Sequence, residues 1–470
     1  MTPNPPAPFP EREGGELPSP FRGGAGGGVN YGKGSDMKIF IAILAGLAII
    51  FAASGAGGAE VEIPSSFNPV GSGARAIGRG GAFIAIADDA TAASWNPGGL
   101  TQLKTPEASM VVFGVHRKED NNFGTNPEAD GLHSISETDV NYLSAAYPFE
   151  LFNRNMVVSL SYQRLYDFTR NWNFILSQPT SDSNWNYEQD GSLSALGLSY
   201  CIRLIPQLSM GFTLNIWNND LTPNKWEQKY QKTESGLFGS GHPYLQKFYK
   251  HETYTFEGVN ANIGILWRLN YRLTIGAVLK TPFNAEIEHR IRSDSIITSD
   301  GKSLEVPQNY TLNEELKMPM SYGIGFAYNF SDHVSISGDI YKTEWNTCVY
   351  KKENGQEVSP FSGSEEQPDI SPSYQMRLGA EYVFIQKEKG YIIPIRAGIF
   401  YDPAPSAGSP DNIYGFSLGA GFTKNNRFSI DIAYQYRIGN DVGKLLLPHF
   451  QFSQDISEHT LYLSAILYKF

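Results

Sequence analysis

The chain has 470 residues, of which 41% are hydrophobic, 13% aromatic and only 18% charged, and its formal net charge is -11. Soluble globular domains carry about 25% charged residues, and disordered chains carry few aromatic ones, so neither class fits well. After residue 60 the chain has no uninterrupted apolar run, which excludes a bundle of membrane helices. The acidic balance without basic clusters argues against nucleic acid as a partner.

The first sixty residues divide into a leader and an export signal. Residues 1–36 are rich in proline and glycine and have no hydrophobic periodicity, so we expect translation to start at Met37. A basic start, a short apolar stretch and a tail of small residues follow, which is the order of a secretory signal peptide over residues 37–59. We expect cleavage after Ala59, with Ala56 as the alternative. A membrane anchor is the other interpretation, although its apolar part is shorter than the ~20 residues that a span needs.

The next segment, residues 60–103, shows no alternation and is crowded with glycine and alanine. Small residues allow a backbone to pack tightly in a confined space, such as the lumen of a barrel. A phosphate-binding loop is excluded, because no Gly-Lys-Ser/Thr follows the glycines.

From about residue 107 to the end, side chains alternate with a period of two, which indicates β-strands. The even positions of one such segment are bulky and apolar, and the odd ones are small or polar: Tyr322, Ile324, Phe326, Tyr328 and Phe330 alternate with Ser321, Gly323, Gly325, Ala327 and Asn329. The segments 414–423 and 429–438 repeat the pattern. A bulky apolar face opposite a small polar face favours the lipid-facing wall of a barrel.

The spacing of these segments predicts the number of strands. Short turns are expected near residues 150–155, 204–207, 269–272, 330–333, 386–390 and 424–426. Long polar loops are expected near residues 117–138, 168–190, 218–254, 284–311, 350–372, 402–412 and 439–457. Six short turns and seven long loops join fourteen strands. We therefore predict an all-β fold, a 14-stranded antiparallel transmembrane β-barrel over residues 104–470, in a bacterial cell outer membrane.

The last strand ends in Phe470 and places Tyr462, Ile466 and Tyr468 on the same face. This ending resembles the C-terminal signal that the outer-membrane assembly machinery reads. We expect that machinery as a partner, together with outer-membrane lipid and lipopolysaccharide.

Three stretches of the chain resemble the FadL/TodX-type outer-membrane transporters of long-chain fatty acids and hydrocarbons. The first stretch contains Gly73-Ala-Arg-Ala-Ile-Gly-Arg-Gly-Gly-Ala82, Ala87-Asp-Asp-Ala90 and Trp95-Asn-Pro-Gly-Gly-Leu100. The others are Pro319–Tyr328, followed by Asp339 and Glu344-Trp345, and Ser373–Tyr382, followed by Ile395–Asp402. The family usually has Asn-Pro-Ala where this chain has Gly98 in place of alanine.

The resemblance implies that residues 60–103 fold inside the barrel as an N-terminal hatch segment. It also implies a route for the substrate: capture by a loop, an internal site, movement of the hatch, and lateral release into lipid. The candidate hatch residues that match the family's motif are Gly80, Gly81, Asp88, Asp89, Asn96, Pro97, Gly98 and Gly99.

The longest predicted loop, residues 218–254, is the candidate for capture. Its apolar residues recur at spacings of three and four, which would line one face of short helices: Trp226, Tyr230, Leu245, Phe248 and Tyr249. The lysines between them would meet a carboxylate or the phosphates of lipopolysaccharide: Lys225, Lys229, Lys247 and Lys250. The alternative is that these aromatic residues pack the loop onto the mouth of the barrel.

Charged residues are also expected in the lumen. The period of two turns these side chains inward: Asp339, Arg377, Glu381, Arg396 and Asp431. One interpretation is a structural network of salt bridges, because a charge on the lipid face would cost about 2–4 kcal/mol at mid-depth. The other is that Arg377 or Arg396 receives the carboxylate of a substrate.

The eight histidines form no metal-binding pair and no nucleophile motif, so we expect no enzyme, no cofactor and no metal. The sequence predicts an outer-membrane channel for the uptake of hydrophobic small molecules, either long-chain fatty acids or hydrocarbons. Two alternatives stay open: a secretion-associated, non-transport barrel of the same superfamily, and a general porin.

Overall fold

The computed structural model describes residues 71–361, 370–406, 408–425, 427–447 and 450–469. The expected leader and signal peptide, the first part of the hatch segment and Phe470 lie outside the described residues. Within them, twenty strands form one antiparallel sheet. No described helix is long and apolar enough to cross a bilayer.

Fourteen of these strands pair in a closed ring and form the wall of a barrel. They are β1 (Glu107–Phe123), β2 (Gly131–Leu151), β3 (Arg154–Asp167), β5 (Ser181–Ile205), β6 (Leu208–Trp217), β8 (Pro243–Arg268), β9 (Leu273–Lys280), β12 (Ser321–Asn329), β13 (Val334–Thr343), β16 (Ser373–Gln386), β17 (Tyr391–Tyr401), β18 (Ile413–Lys424), β19 (Phe428–Val442) and β20 (Phe452–Tyr468). The ring closes where Glu107 of β1 lies opposite Tyr468 of β20. The predicted 14-stranded antiparallel barrel is confirmed, and its closure leaves no strand edge without a partner in lipid.

The two faces of the wall follow the predicted alternation. Phe326 and Phe416 point outward and are 40% and 41% exposed, whereas Arg377 and Arg396 are buried on the inner face. All six predicted short turns join neighbouring wall strands, so they lie at one rim, which is the periplasmic rim in outer-membrane barrels. On β20, Tyr462 and Ile466 share the inner face.

Four of the seven predicted long loops are largely strands, which corrects the sequence-based expectation: residues 117–138, 168–190, 218–254 and 284–311. The six additional strands are β4 (Arg170–Gln178), β7 (Asn224–Leu237), β10 (Phe283–Ser299), β11 (Lys302–Met318), β14 (Val349–Lys351) and β15 (Glu357–Val358). They pair with one another and with the upper halves of β5 and β8, over residues 181–193 and 243–257. We call these six strands and two half-strands the canopy. Their side chains alternate as well, but the outer face is polar, so these segments resemble loops in the sequence.

The N-terminal residues 71–103, which we call the lumen segment, lie inside the barrel. The segment contains the short helices α1 (Ala74–Ile77) and α2 (Ala92–Trp95) and a 3-10 helix, Pro97–Gln102. Almost all of its side chains are buried. Small side chains make this possible, because the segment crosses a space that is enclosed by the inner faces of the wall strands.

Candidate functional site in the barrel lumen

The lumen segment is tied to the wall through its backbone. The amides of Phe83 and Ile84 donate to Asp339 Oδ2 at 2.7 and 2.9 Å, and the amide of Gly80 donates to Ser417 Oγ at 2.8 Å. Asp339 and Ser417 are buried on the inner faces of β13 and β18. A buried backbone amide needs such a partner, so these side chains fix the position of the segment.

An ion-pair network strengthens this attachment. Arg79 of the segment lies 3.3 Å from Glu381, which in turn accepts from Arg396 Nε at 2.6 Å. Arg396 also donates to Asp431 Oδ1 at 2.6 Å. Arg377 donates to the carbonyl of Gly80 at 3.1 Å. The two arginines that were candidates for a substrate carboxylate are therefore engaged with the wall and the lumen segment.

Asn96 joins the segment to itself and to the wall. Its side-chain amide donates to the carbonyls of Ile84 at 2.8 Å and Ile265 at 3.0 Å, and its Oδ1 accepts from the amide of Gly98 at 3.0 Å. Asn96 is fully buried. Pro97 follows as the first residue of the 3-10 helix, where its missing N–H costs nothing.

The glycines of the segment serve two different purposes. Gly80 and Gly81 have φ angles of 70° and 74°, which favour glycine. Gly98 and Gly99 have no such φ angle. They are needed because neighbouring backbone atoms pack too closely against them to leave room for a side chain. A Cβ on Gly99 would lie 2.1 Å from the carbonyl oxygen of Ala87, and one on Gly98 would lie 2.8 Å from that of Gly264.

The paired acids at the centre of the segment share Arg75, which lies 3.5 Å from Asp89, and each also has closer contacts. Asp88 forms a salt bridge with Arg75 at 2.7 Å. Asp89 is buried and accepts from the amide and the hydroxyl of Thr91 at 2.8 and 2.6 Å. All eight predicted hatch residues thus lie within the lumen segment, where they hold its fold together.

Above the segment, the lumen and the inner face of the canopy are lined by an apolar cluster. It consists of Phe168, Leu193, Ala195, Trp217, Trp226, Tyr254, Phe256, Ala285, Ile287, Leu316, Met318, Trp345, Cys348, Tyr350, Val358, Phe361 and Ile370. Trp226 stacks between Phe168 and Tyr254, with ring centroids 4.8 and 4.7 Å apart. Such a surface has the chemistry of a site for hydrophobic molecules.

A cavity of about 70 Å³ separates the apolar cluster from the lumen segment. Its lining includes the apolar side chains of Trp217, Phe283, Met318 and Trp345 and the polar side chains of Lys280 and of Ser94 in α2. The lining therefore combines apolar side chains with polar groups and a cation. Sequence reasoning missed Lys280, although it continues the inward alternation of Gly276 and Val278 on β9.

The predicted capture residues lie on canopy strands, so the expected short helices are wrong. Trp226 and Tyr230 point inward from β7, and Phe248 points inward from β8. Leu245 and Tyr249 lie on the opposite face of β8. A four-residue spacing places two side chains on the same face of a helix or of a strand, so the spacing does not distinguish the two. Here the stacking of aromatic side chains across neighbouring strands stabilises the strand.

Most of the interleaved lysines have acidic partners. Lys225 lies 2.5 Å from Glu227, Lys229 lies 3.7 Å from Glu188, and Lys250 lies 2.8 Å from Glu252. Lys247 is exposed.

A buried histidine stabilises the canopy beside the apolar cluster. The two ring nitrogens of His289 face Glu314 at 2.9 Å and Glu252 at 3.1 Å, and Tyr350 also donates to Glu314. Burial disfavours the charged imidazole, but the two carboxylates outweigh it and raise the pKa of His289 above its ordinary value. Through these two carboxylates the imidazole ring links three strands of the canopy.

The wall has a seam between β2 and β3. Their ladder ends where Tyr142 lies opposite Gln163, whereas β2 continues to Gly131 paired with β1. Beyond this point, residues 131–141 form one edge and residues 164–178 form the other, and we call these two edges the seam. Among these described residues, no ladder of backbone hydrogen bonds joins one edge to the other. Outward-facing Leu143 and Leu160 lie just below, so the seam begins at the upper edge of the apolar belt.

Side chains, rather than backbone bonds, close the seam. Arg164 on one edge contacts Glu137 and Asp139 on the other edge, and also Asp167. Thr169 Oγ1 donates to Glu137 Oε2 at 3.1 Å. A second cavity, of about 140 Å³, lies directly behind Arg164 and reaches the lumen segment.

Comparison with known proteins fits this architecture. The family described as outer membrane protein transport protein (OMPP1/FadL/TodX) matches residues 53–445. The chain belongs to this family. It is therefore a transport protein of the bacterial outer membrane and not an enzyme. Among the described residues, no group of three or more His, Cys, Asp or Glu side chains could hold a metal ion.

Solved structures share the fold at low sequence identity. A Pseudomonas aeruginosa FadL homologue matches with a TM-score of 0.59 and 15% identity, over 86% of this chain and 99% of that chain. The Pseudomonas putida toluene transporter TodX matches with a TM-score of 0.53 and 13% identity, over 85% and 98%. The CymD monoaromatic hydrocarbon channel matches with a TM-score of 0.52 and 14% identity, over 85% and 98%. No curated protein matches the chain.

Proposed function

We propose that this protein takes up hydrophobic compounds across the outer membrane by capture at the canopy, passage through the lumen and lateral release. The observation that carries the proposal is the continuity of the apolar cluster, from the inner face of the canopy to the cavity above the lumen segment. The filled lumen disfavours a general porin, which needs an open polar channel.

The canopy supplies the capture surface. Trp226 and Tyr230 face inward, and the rings of Tyr230 and Tyr187 contact each other in a tilted arrangement, with centroids 4.8 Å apart. A chain of about sixteen carbons gains roughly 0.8 kcal/mol for each methylene that leaves water, on the order of 12 kcal/mol in all. A continuous apolar surface is therefore a better route for such a molecule than a water-filled pore.

Lys280 is the candidate group to receive a substrate carboxylate. It supplies a cation to the lining of the cavity that Trp217, Phe283 and Trp345 also line. This arrangement favours long-chain fatty acids over uncharged hydrocarbons. The relatives that are described as transporters of toluene or of monoaromatic hydrocarbons make hydrocarbons the second class to test.

The lumen segment acts as the hatch, and the seam acts as the exit. Movement of the segment would connect the upper cavity to the one behind Arg164. From there, breaking the contacts of Arg164 with Glu137 and Asp139 would open the wall without breaking any backbone ladder. The exit then opens at the upper edge of the apolar belt.

A disulfide across the seam tests this route. Asn141 Nδ2 donates to the carbonyl of Arg164 at 3.3 Å, so the pair N141C/R164C spans the first unpaired position. The native Cys201 and Cys348, which are buried and free, are replaced by alanine. Uptake of a radiolabelled long-chain fatty acid is measured in cells that lack their own transporter. We expect oxidation to reduce uptake about tenfold and a reductant to restore it.

The control is A146C/S159C, a pair that lies opposite each other within the β2–β3 ladder. A disulfide there should leave uptake unchanged, because that part of the wall is already joined. If the oxidised seam variant transports as fast as the reduced one, lateral release at the seam is wrong. If the parent protein confers no uptake of fatty acids or toluene above the empty vector, transport of hydrophobic compounds itself is wrong.

Replacing Lys280 separates the two substrate classes. Lys280→Met keeps most of the side-chain volume and removes the charge. We expect uptake of a fatty acid to fall about tenfold while toluene uptake stays within about twofold. Equal losses for both substrates would mean that Lys280 has only a structural role.

A further inference from the structure

The periplasmic rim carries a positive charge that the composition of the chain conceals. The chain as a whole has a net charge of -11. Nevertheless, exposed basic residues outnumber exposed acidic ones three to one at the short turns and the two ends of the barrel. The basic residues are Lys104, Arg154, Arg268, Arg272, Lys387, Lys389, Lys424, Arg427 and Lys469, and the acidic residues are Glu150, Asp332 and Glu388.

Six of these basic residues are neighbours on one arc of the rim. They are Lys387, Lys389, Lys424, Arg427, Lys469 and Lys104, which we call the basic patch. Backbone hydrogen bonds join the turns that carry them: Asn425 donates to the carbonyl of Gly390 at 2.8 Å, and Tyr468 donates to that of Arg427 at 2.9 Å. Lys469 donates to the carbonyl of Pro106 at 2.9 Å, which brings in the start of β1.

The basic patch has no acidic partner among the described residues. None of its six side chains forms an ion pair there, whereas Lys225, Lys229 and Lys250 of the canopy all do. Exposed unpaired cations that are fixed on adjacent turns make a favourable surface for anions.

An outward-facing belt of aromatic residues lies directly above the patch, on the same strands. Tyr382 and Phe384 are 43% and 47% exposed, with centroids 4.8 Å apart. Phe422 lies between Tyr391 and Phe428, at 5.9 and 6.2 Å. Aromatic belts mark the depth of the lipid headgroups. The basic patch therefore lies at or just beyond the headgroups of the periplasmic leaflet.

We propose that the basic patch binds the phosphate headgroups of anionic phospholipids in the periplasmic leaflet. The charge, the exposure and the depth set by the aromatic belt all match this ligand. Lipopolysaccharide is excluded as the ligand of this surface, because it occupies the opposite leaflet, on the side of the canopy. Clusters of Lys and Arg at a membrane surface bind anionic lipids in this way. This site is independent of the transport route.

The test measures lipid selectivity in vesicles of defined composition. The full protein is reconstituted in phosphatidylcholine, and the association of spin-labelled phosphatidylglycerol relative to spin-labelled phosphatidylcholine is measured by electron paramagnetic resonance. We expect the protein to prefer phosphatidylglycerol about fivefold at low ionic strength, falling toward no preference in 0.5 M salt. The quadruple variant K387Q/K389Q/K424Q/R427Q should lose most of the preference.

A matched variant controls for total charge. K118Q/K247Q/R290Q/R292Q removes four exposed basic residues from the opposite side of the barrel and should keep the preference. Heat-modifiable gel mobility shows that each variant is folded. The proposal is overturned if the protein shows no preference, if the rim variant keeps it, or if the control variant loses it equally. It is also overturned if the rim binds an acidic periplasmic protein and shows no lipid selectivity.

Discussion

The two halves of the lumen are filled by different kinds of interaction. In the lower half, the lumen segment is held by directional bonds, such as those from Phe83 and Ile84 to Asp339. In the upper half, the space is filled by aromatic and aliphatic side chains around Trp217 and Trp226. Directional bonds fix one arrangement, while apolar packing accepts different shapes at little cost. Under the proposed function, this contrast separates a part that closes the lumen from a part that binds the substrate.

The largest expected effect comes from placing a side chain in the lower half where two backbone segments, at Gly99 and Ala87, pack closely together. Gly99→Val places a Cβ 2.1 Å from the carbonyl oxygen of Ala87, where neither backbone can move easily. We expect at least a tenfold loss of folded protein in the outer membrane, measured by heat-modifiable gel mobility. Gly239→Val is the control, because nothing lies within 4 Å of its Cβ. Normal accumulation of both variants would show that the lumen segment can repack.

The second effect concerns hydrogen bonds rather than space. Asn96→Ala leaves the carbonyls of Ile84 and Ile265 and the amide of Gly98 without their partner. A buried polar group without a partner costs about 1–3 kcal/mol, so the midpoint of thermal unfolding should fall by several degrees and uptake should change. Exposed Asn171→Ala should change neither. An unchanged midpoint for Asn96→Ala would mean that water replaces these bonds.

A pair of conservative substitutions compares the two halves directly. Met318→Leu in the apolar cluster keeps the volume and should change the free energy of unfolding by less than about 1.5 kcal/mol, with uptake within about twofold. Ser417→Ala in the lower half removes the acceptor for the amide of Gly80 and should cost more. Chemical denaturation of both variants gives the comparison. The reverse order of the two costs would contradict the contrast between the halves.

The smallest expected effect depends on pH. The pKa of His289 is raised in the folded protein, so its contribution is fully present below the ordinary imidazole value of ~6.5. It is lost as the pH rises through the raised value. Hydrogen exchange of β10 and β11, corrected for the intrinsic rate, should therefore show weaker protection at pH 9 than at pH 6. His289→Gln should abolish this difference. A pH-independent pattern in the parent protein would contradict the role of the charged imidazole.

Much of the fold could be predicted because the bilayer imposes the pattern. Lipid on one side and a lumen on the other make the alternation strong in segments such as 321–330, and the short turns between them give the count of fourteen. The canopy has water around it, so its outer face is polar and its strands resemble loops. The spacing of Trp226 and Tyr230 fits a strand as well as a helix, so the sequence alone does not distinguish them.

The contacts of the site could not be predicted from local pattern. Phe83 and Asp339 are separated by 256 positions, and no periodicity links them. The seam was missed because the end of a ladder depends on where β3 leaves β2, not on which residues the strands contain. Lys280 and the two arginines share the same inward alternation, and only the structure shows that Lys280 lines the cavity while the arginines contact Gly80 and Asp431.

Strands β5 and β8 run without a break from a periplasmic turn into the canopy, and each keeps a single inner face along its whole length. An insertion of one residue in either upper half would turn the canopy's inner face outward, whereas an insertion of two residues would preserve it. Lineages that lengthen or shorten the canopy should therefore do so in steps of two residues per strand. The canopy, which captures the substrate under the proposed function, can then evolve in height while the wall below keeps its register.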